Sequence, residues 1–129
     1  MDRRAASFLI LAEEEAGAAE RLIDAFPRQA AYQLQQAAEK VARAILAHEG
    51  VPFGTSHNLG QMAAALPEGH PWRADLMRFD HLSPAATRYR YPAPGGRIPP
   101  PPAQEALYED LADVRALIGR ARTWMAGPA

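Results

Sequence analysis

The spacing of apolar residues does most to limit the folds open to this chain. From Ala5 to Phe26, from Pro27 to about Glu49 and from Gln104 to Met125 they recur at three- and four-residue steps, the mark of a helix with one buried face. No segment alternates with period two over a strand's length, so no sheet is expected. The pattern predicts an all-α chain. With 129 residues, 48% of them apolar, it can form a single domain, 1–129, that buries a core over about 5–125 without metals or cross-links.

The first helix turns Phe8, Leu9, Ala12, Ala16, Ala19, Leu22, Ile23 and Phe26 inward and leaves Glu13, Glu14, Glu20, Arg21 and Asp24 to solvent. Pro27 suits a first helical turn, where its missing N–H costs nothing, and opens a second helix. That helix buries Ala31, Leu34, Ala38, Val41, Ile45 and Leu46 and carries a polar stripe of Gln29, Gln33, Gln36, Lys40 and Arg43. Gly50 and Pro52 stop it. Thr55 or Ser56 is then expected to cap a short third helix to about Leu66, with His57 in its first turn and Leu59, Met62 and Ala63 inward.

Pro67, Gly69 and Pro71 break the chain before a fourth helix near Trp72, which sets Trp72, Leu76 and Phe79 on one face. At Ser83-Pro84 it weakens, and a serine cap can restart a turn there. The last helix buries Leu107, Leu111, Val114, Ile118, Ala121 and Met125, with acids crowding its start and arginines its end, as the helix dipole favours. Before it, the proline-rich loop 92–102 cannot donate regular backbone hydrogen bonds. It reads as a stiff connector or as a ligand for an aromatic groove.

Several function classes lose support. The absence of cysteine removes disulfides, thiolate metal sites and cysteine nucleophiles. Glu13, Glu14 and Glu15 interrupt any signal-peptide core, and no run approaches the roughly 18 to 20 apolar residues of a membrane span. A soluble, cytoplasmic protein without a membrane partner is therefore expected. The net charge of −1 lacks the footprint of a dedicated duplex binder, so any nucleic-acid contact must be local. No phosphate-loop, zincin, nucleophile-elbow or dinucleotide fingerprint occurs, and no two of His48, His57, His70 and His81 sit on adjacent turns as a metal pair would. Neither a cofactor nor a metal is expected.

The densest candidate for binding is Thr87-Arg88-Tyr89-Arg90-Tyr91-Pro92, two guanidinium forks beside two aromatic rings. Arginine pairs bidentately with phosphate and tyrosine stacks on bases, a combination suited to a nucleotide or an RNA end. The bland alternative has Tyr89 and Tyr91 plugging the core while the arginines face outward. Arg43 and His48 are the only candidates for metal-independent ribonuclease chemistry. Five residues turn a helix by about 500°, however, which sets their side chains roughly 140° apart.

Three elements in order, Ala31-Tyr32-Gln33-Leu34-Gln35-Gln36-Ala37-Ala38-Glu39-Lys40, then Ser56-His57-Asn58-Leu59, then Arg90-Tyr91-Pro92 before the last helix, closely resemble bacterial and archaeal HEPN domains. The resemblance implies an up-and-down bundle of about five helices, usually a homodimer, often paired with a minimal nucleotidyltransferase as its substrate-binding subunit or as half of a toxin–antitoxin system. It carries a ligand-binding patch onto Gln36, Lys40, His57, Arg88, Arg90 and Tyr91, and it makes Tyr89 or Tyr91 a target for nucleotidyl modification by the partner. Ribonuclease members carry R-x(4-6)-H after the variable loop. Here no histidine follows His81, so neither Arg88 nor Arg90 completes that motif. A binding subunit is thus expected rather than an enzyme. An endoribonuclease toxin built on Arg43 and His48, and a ligand-free interaction module, are the alternatives.

Overall fold

The computed structural model describes residues 2–128, which leaves Met1 and Ala129, at the ends of the expected domain, outside the described residues. Helix α1 spans Arg3–Leu22 and α2 spans Pro27–His48. Two short helices follow, α3 over Leu59–Ala65 and α4 over Arg73–Met77, then a 3₁₀ helix over Asp80–Ala86 and the long α5 over Gln104–Ala126. Among the described residues there is no strand, as the apolar spacing predicts.

Local chemistry sets the helix ends. Asp2 caps α1 by accepting from the Ala5 N–H at 2.9 Å, and Pro27 opens α2. At the far end of α2, Gly50 takes the left-handed conformation (φ +68°). Its N–H then reaches the Ala47 carbonyl at 3.1 Å, and the Val51 N–H reaches that of Leu46 at 2.9 Å, the paired bonds of a Schellman motif. The third helix starts later than expected. Its cap is Asn58, which accepts from the Gln61 N–H at 2.8 Å, whereas Ser56 makes a local turn by accepting from the Asn58 N–H. His57 consequently precedes the helix instead of sitting in its first turn. Ser83 restarts nothing. Its hydroxyl accepts from the Leu59 N–H at 2.9 Å and donates to Asp80, whose carboxylate in turn accepts from the Gly60 N–H. A Cβ at Gly60 would lie 2.9 Å from that carboxyl carbon, so a larger residue there would push the Asp80 side chain aside.

Helix α2 lies at the centre, packed against α1, α5, α3 and the 3₁₀ helix. All six of its expected inner residues are buried, together with Ala30, Ala37, Ala42 and Ala44. The buried face of α1 is also largely alanine, Ala5, Ala12, Ala16 and Ala19, with Leu9 its one large buried residue and Ile23 buried at its C-cap. Small side chains on both helices let their backbones approach closely. Phe26 departs from expectation: α1 ends at Leu22, Phe26 becomes the N-cap residue of α2, and its ring is 60% exposed.

Pairings along the helices give the course of the chain. Glu13 pairs with Arg122, Glu20 with Arg115, and Asp24 with Tyr108 and Gln104, so α5 runs antiparallel to α1. It therefore runs parallel to α2, and the His48 ring meets Trp124 at 5.0 Å where both helices end. Residues 49–103 form the return leg. The chain reaches mid-α2 at His57, comes back to Glu49 and Trp124 at His70, and climbs through the 3₁₀ helix to Arg28, which donates to the Pro99 carbonyl at 3.0 Å.

His81 straps this leg to α5. Its Nδ1 lies 3.0 Å from the Arg78 carbonyl and its Nε2 3.0 Å from the Asp110 carboxylate, two acceptors that only a doubly protonated imidazole satisfies. Partial burial works against the charge, but the Asp110 and Arg78 hydrogen bonds and the fields of Asp110 and Asp113 prevail and raise the pKa above the ordinary value of 6.5. A histidine whose pKa is raised by folding contributes stability that is fully present below the unfolded value and is lost as pH rises through the folded one. The stability gap between the parent and a His81→Ala variant should accordingly be widest near pH 5 and shrink as the pH rises past 6.5, as urea unfolding at several pH values would show. A gap that grows with pH would contradict the strap.

Candidate functional site

One side of α2 holds a polar ladder. Arg28, Tyr32, Gln36 and Lys40 step by four along one row and Gln35, Glu39 and Arg43 along the next, so the two rows lie side by side on the helix. Gln35, Glu39 and Arg43 grip the loop ahead of α3. Gln35 donates to the His57 carbonyl at 3.3 Å, and Arg43 donates to the carbonyls of Gly54 and Ser56 at 3.0 and 2.9 Å. Glu39, its side chain only 4% exposed, is hydrogen-bonded to the Nδ1 of His57 and lies 3.9 Å from the Arg43 Nε.

The other row continues the network. Gln36 donates to Gln35 at 2.7 Å, and Lys40 donates to Gln36 at 3.5 Å and to Glu15 of α1 at 2.7 Å. Desolvation pushes the Glu15 carboxyl above its ordinary pKa against the pull of Lys40, and its second oxygen is buried without a partner among the described residues. The 2.7 Å pairing with Glu15 ties Lys40 to α1 and makes it a link between the two helices.

Arg90 and Tyr91 join this face from the loop. The Arg90 guanidinium lies over the Tyr32 ring at 4.4 Å and over Tyr91 at 5.6 Å, and donates to the Ala86 carbonyl at 3.4 Å. Tyr91 itself is 59% exposed, whereas Tyr89 packs half-buried against the core. Arg88 and Arg97 are exposed and have no carboxylate partner among the described residues. Together with Thr87, Tyr91 and the prolines they line a hollow of about 390 Å³. A second hollow of about 370 Å³ is lined by His57, Asn58, Asp80, Ser83 and again Thr87, so the two adjoin at that residue.

The six expected ligand residues are therefore gathered along one flank. Gln36, Lys40 and His57 are linked by the ladder, Arg90 and Tyr91 dock one turn away at Tyr32, and Arg88 opens the adjoining hollow. Arg43 and His48 leave α2 in different directions. Arg43 is engaged by loop carbonyls, while His48 packs on Trp124 with a buried Nδ1 that lacks a partner among the described residues. No group of three or more His, Asp or Glu among the described residues is placed to hold a metal ion, and no helix there is long and apolar enough to cross a membrane.

Arg28, Tyr32, Gln35, Glu39, Glu15 and Arg97 are at the site without having been expected there. A signal for three of them is present in the sequence. Gln35 and Glu39 fall on the row between Ala31 and Leu46 that the helical period buries, and Glu15 sits beside Ala12, Ala16 and Ala19 on the inner edge of α1. A polar residue in a buried row must have a partner. Arg97 carries no such signal, since only the folded loop brings it beside Arg88. There the Ala93 N–H donates to the Arg97 carbonyl at 2.7 Å, and Gly95 and Gly96 turn the chain with φ near +88° and +85°.

A family model described as HEPN domain matches residues 3–124, nearly the whole chain. No curated protein and no solved structure matches it.

Proposed function

The chain belongs to the HEPN domain family, and from that premise we propose that it is the nucleotide- or polynucleotide-binding subunit of a two-component system, a homodimer paired with a minimal nucleotidyltransferase in a toxin–antitoxin arrangement. The observation that carries the reading is the hollow shared by Arg88, Arg97 and Tyr91, which sets two guanidiniums that have no carboxylate partner among the described residues beside an exposed aromatic ring. Guanidiniums take phosphate oxygens bidentately and the ring takes a base face, so the hollow matches the two ends of a nucleotide. Acidic side chains are absent from its lining. If the partner modifies this chain, Tyr91 is the better acceptor, because its ring is exposed while that of Tyr89 is held against the core.

Isolation of the tagged protein from its own cells, with mass spectrometry of bound proteins and nucleotides, tests the pairing. A small nucleotidyltransferase should be recovered with it. Recovery of the homodimer alone with RNA fragments would overturn the pairing and favour a ribonuclease.

A further inference from the structure

We infer that the proline run 98–102 is a docking edge for a second protein, one that carries a groove lined by aromatic rings with an acidic group at its end.

Closing the chain does not account for the run. Arg88 and Tyr89 ahead of it and Pro102 and Ala106 behind it line one hollow of about 230 Å³, so the loop leaves and returns at the same place. Its span, 87–103, also exceeds the roughly 2–8 residues that commonly join helices in a bundle. Ile98, Pro99, Pro100 and Pro101 each precede a proline, which turns them away from the helical region, and each proline fixes its own φ at about −65°. With every peptide bond trans, the run is held as a short polyproline helix.

That helix repeats every three residues, and exposure along the run keeps the period. Pro99 and Pro102, one turn apart, are half-buried: the Pro99 carbonyl accepts from Arg28 at 3.0 Å, and Pro102 lines the hollow with Ala31 and Leu107. Ile98 and Pro101, also one turn apart, are exposed, as is Pro100. One edge therefore fastens the run to the bundle while the other two stay bare. Of its carbonyls only that of Pro99 has a hydrogen-bond partner among the described residues.

An edge ordered in advance is bound without the entropy cost of fixing a loop. Its chemistry selects the occupant. Bare proline rings need flat aromatic faces, and carbonyls with no N–H beside them need indole or phenol donors, which is how aromatic grooves read proline runs. Arg97, exposed at the head of the run and without a carboxylate partner among the described residues, calls for an acid at that end, a role open to it when the neighbouring hollow is empty. A nucleic acid fits the edge poorly, because no cation lies along 98–102 to take a phosphate.

The test is capture of proteins from the chain's own cells on the immobilised full chain after nuclease treatment, with a synthetic peptide of residues 97–103 as competitor. A protein held by the parent should be displaced by the peptide. Its tryptophan or tyrosine emission should shift on titration with the peptide, which has no aromatic residue of its own. Ile98→Ala with Pro101→Ala, at exposed positions that line neither adjoining hollow, should weaken its binding about tenfold or more and leave the circular dichroism and the affinity for an oligouridylate unchanged. Capture that the peptide does not displace, capture that nuclease abolishes, an emission that does not respond, equal binding by the double variant, or no captured protein would each overturn the inference and leave nucleotide binding intact.

Discussion

Replacement of Ile45 by alanine should lower the unfolding free energy by about 2–5 kcal/mol, with the slope against urea unchanged. Ile45 is 0% exposed on α2, the helix against which α1, α3, α5 and the 3₁₀ helix all pack, so the removed carbons leave a void that no single neighbour can fill by moving. The neighbouring surface of α1 is built from alanines already in close contact with α2, and tight packing of that kind resists collapse. For a domain of this size the loss is a large part of a total stability of about 5–15 kcal/mol. Phe26→Ala provides the contrast. It deletes more carbon, but from a ring that is 60% exposed, and should change stability by no more than about 0.5 kcal/mol. A small loss at Ile45, or a large one at Phe26, would mean that the centre of the bundle lies elsewhere.

These two positions also mark how far the sequence is a guide. Ile45 belongs to a row that repeats over about four turns, from Ala31 to Leu46, and a period sustained that long identifies both the helix and its buried face. Phe26 fits the α1 period equally well but stands one residue before Pro27, where the chain has left α1 and turned into α2, and local spacing cannot register that turn. The same division holds for the site. Arg90, Tyr91, His57 and Gln36 were legible as polar and aromatic residues in a family pattern. Their arrangement was not, since Tyr32 beneath Arg90 and Glu39 behind His57 are contacts between segments distant in sequence, and Arg97 shares a hollow with Arg88 only once the loop between them has folded. Lys40 shows the converse. In the sequence it is one member of the polar stripe and of the family's ligand patch, and only packing against α1 reveals its pairing with Glu15.

The largest functional effect is expected from removing the Arg88 and Arg97 guanidiniums together. Arg88→Ala with Arg97→Ala should weaken binding of a single-stranded oligonucleotide on the order of a hundredfold at low salt, since each charge-assisted hydrogen bond lost is worth about 1.5–3 kcal/mol before compensation by water. Loss of two phosphate contacts should also flatten the dependence of log affinity on log salt by about 1.4. The salt slope separates a phosphate contact from an indirect effect on the loop, because a disturbed loop weakens binding without releasing fewer counterions. Both side chains are exposed, so helicity and the melting transition should be unaffected. Arg90 differs from this pair: its guanidinium is fixed between Tyr32, Tyr91 and the Ala86 carbonyl, and Arg90→Ala should loosen the loop as well as the ligand. If the double variant keeps both its affinity and its salt slope, phosphate is not bound in the Arg88–Arg97 hollow, and the site must be sought farther down α2.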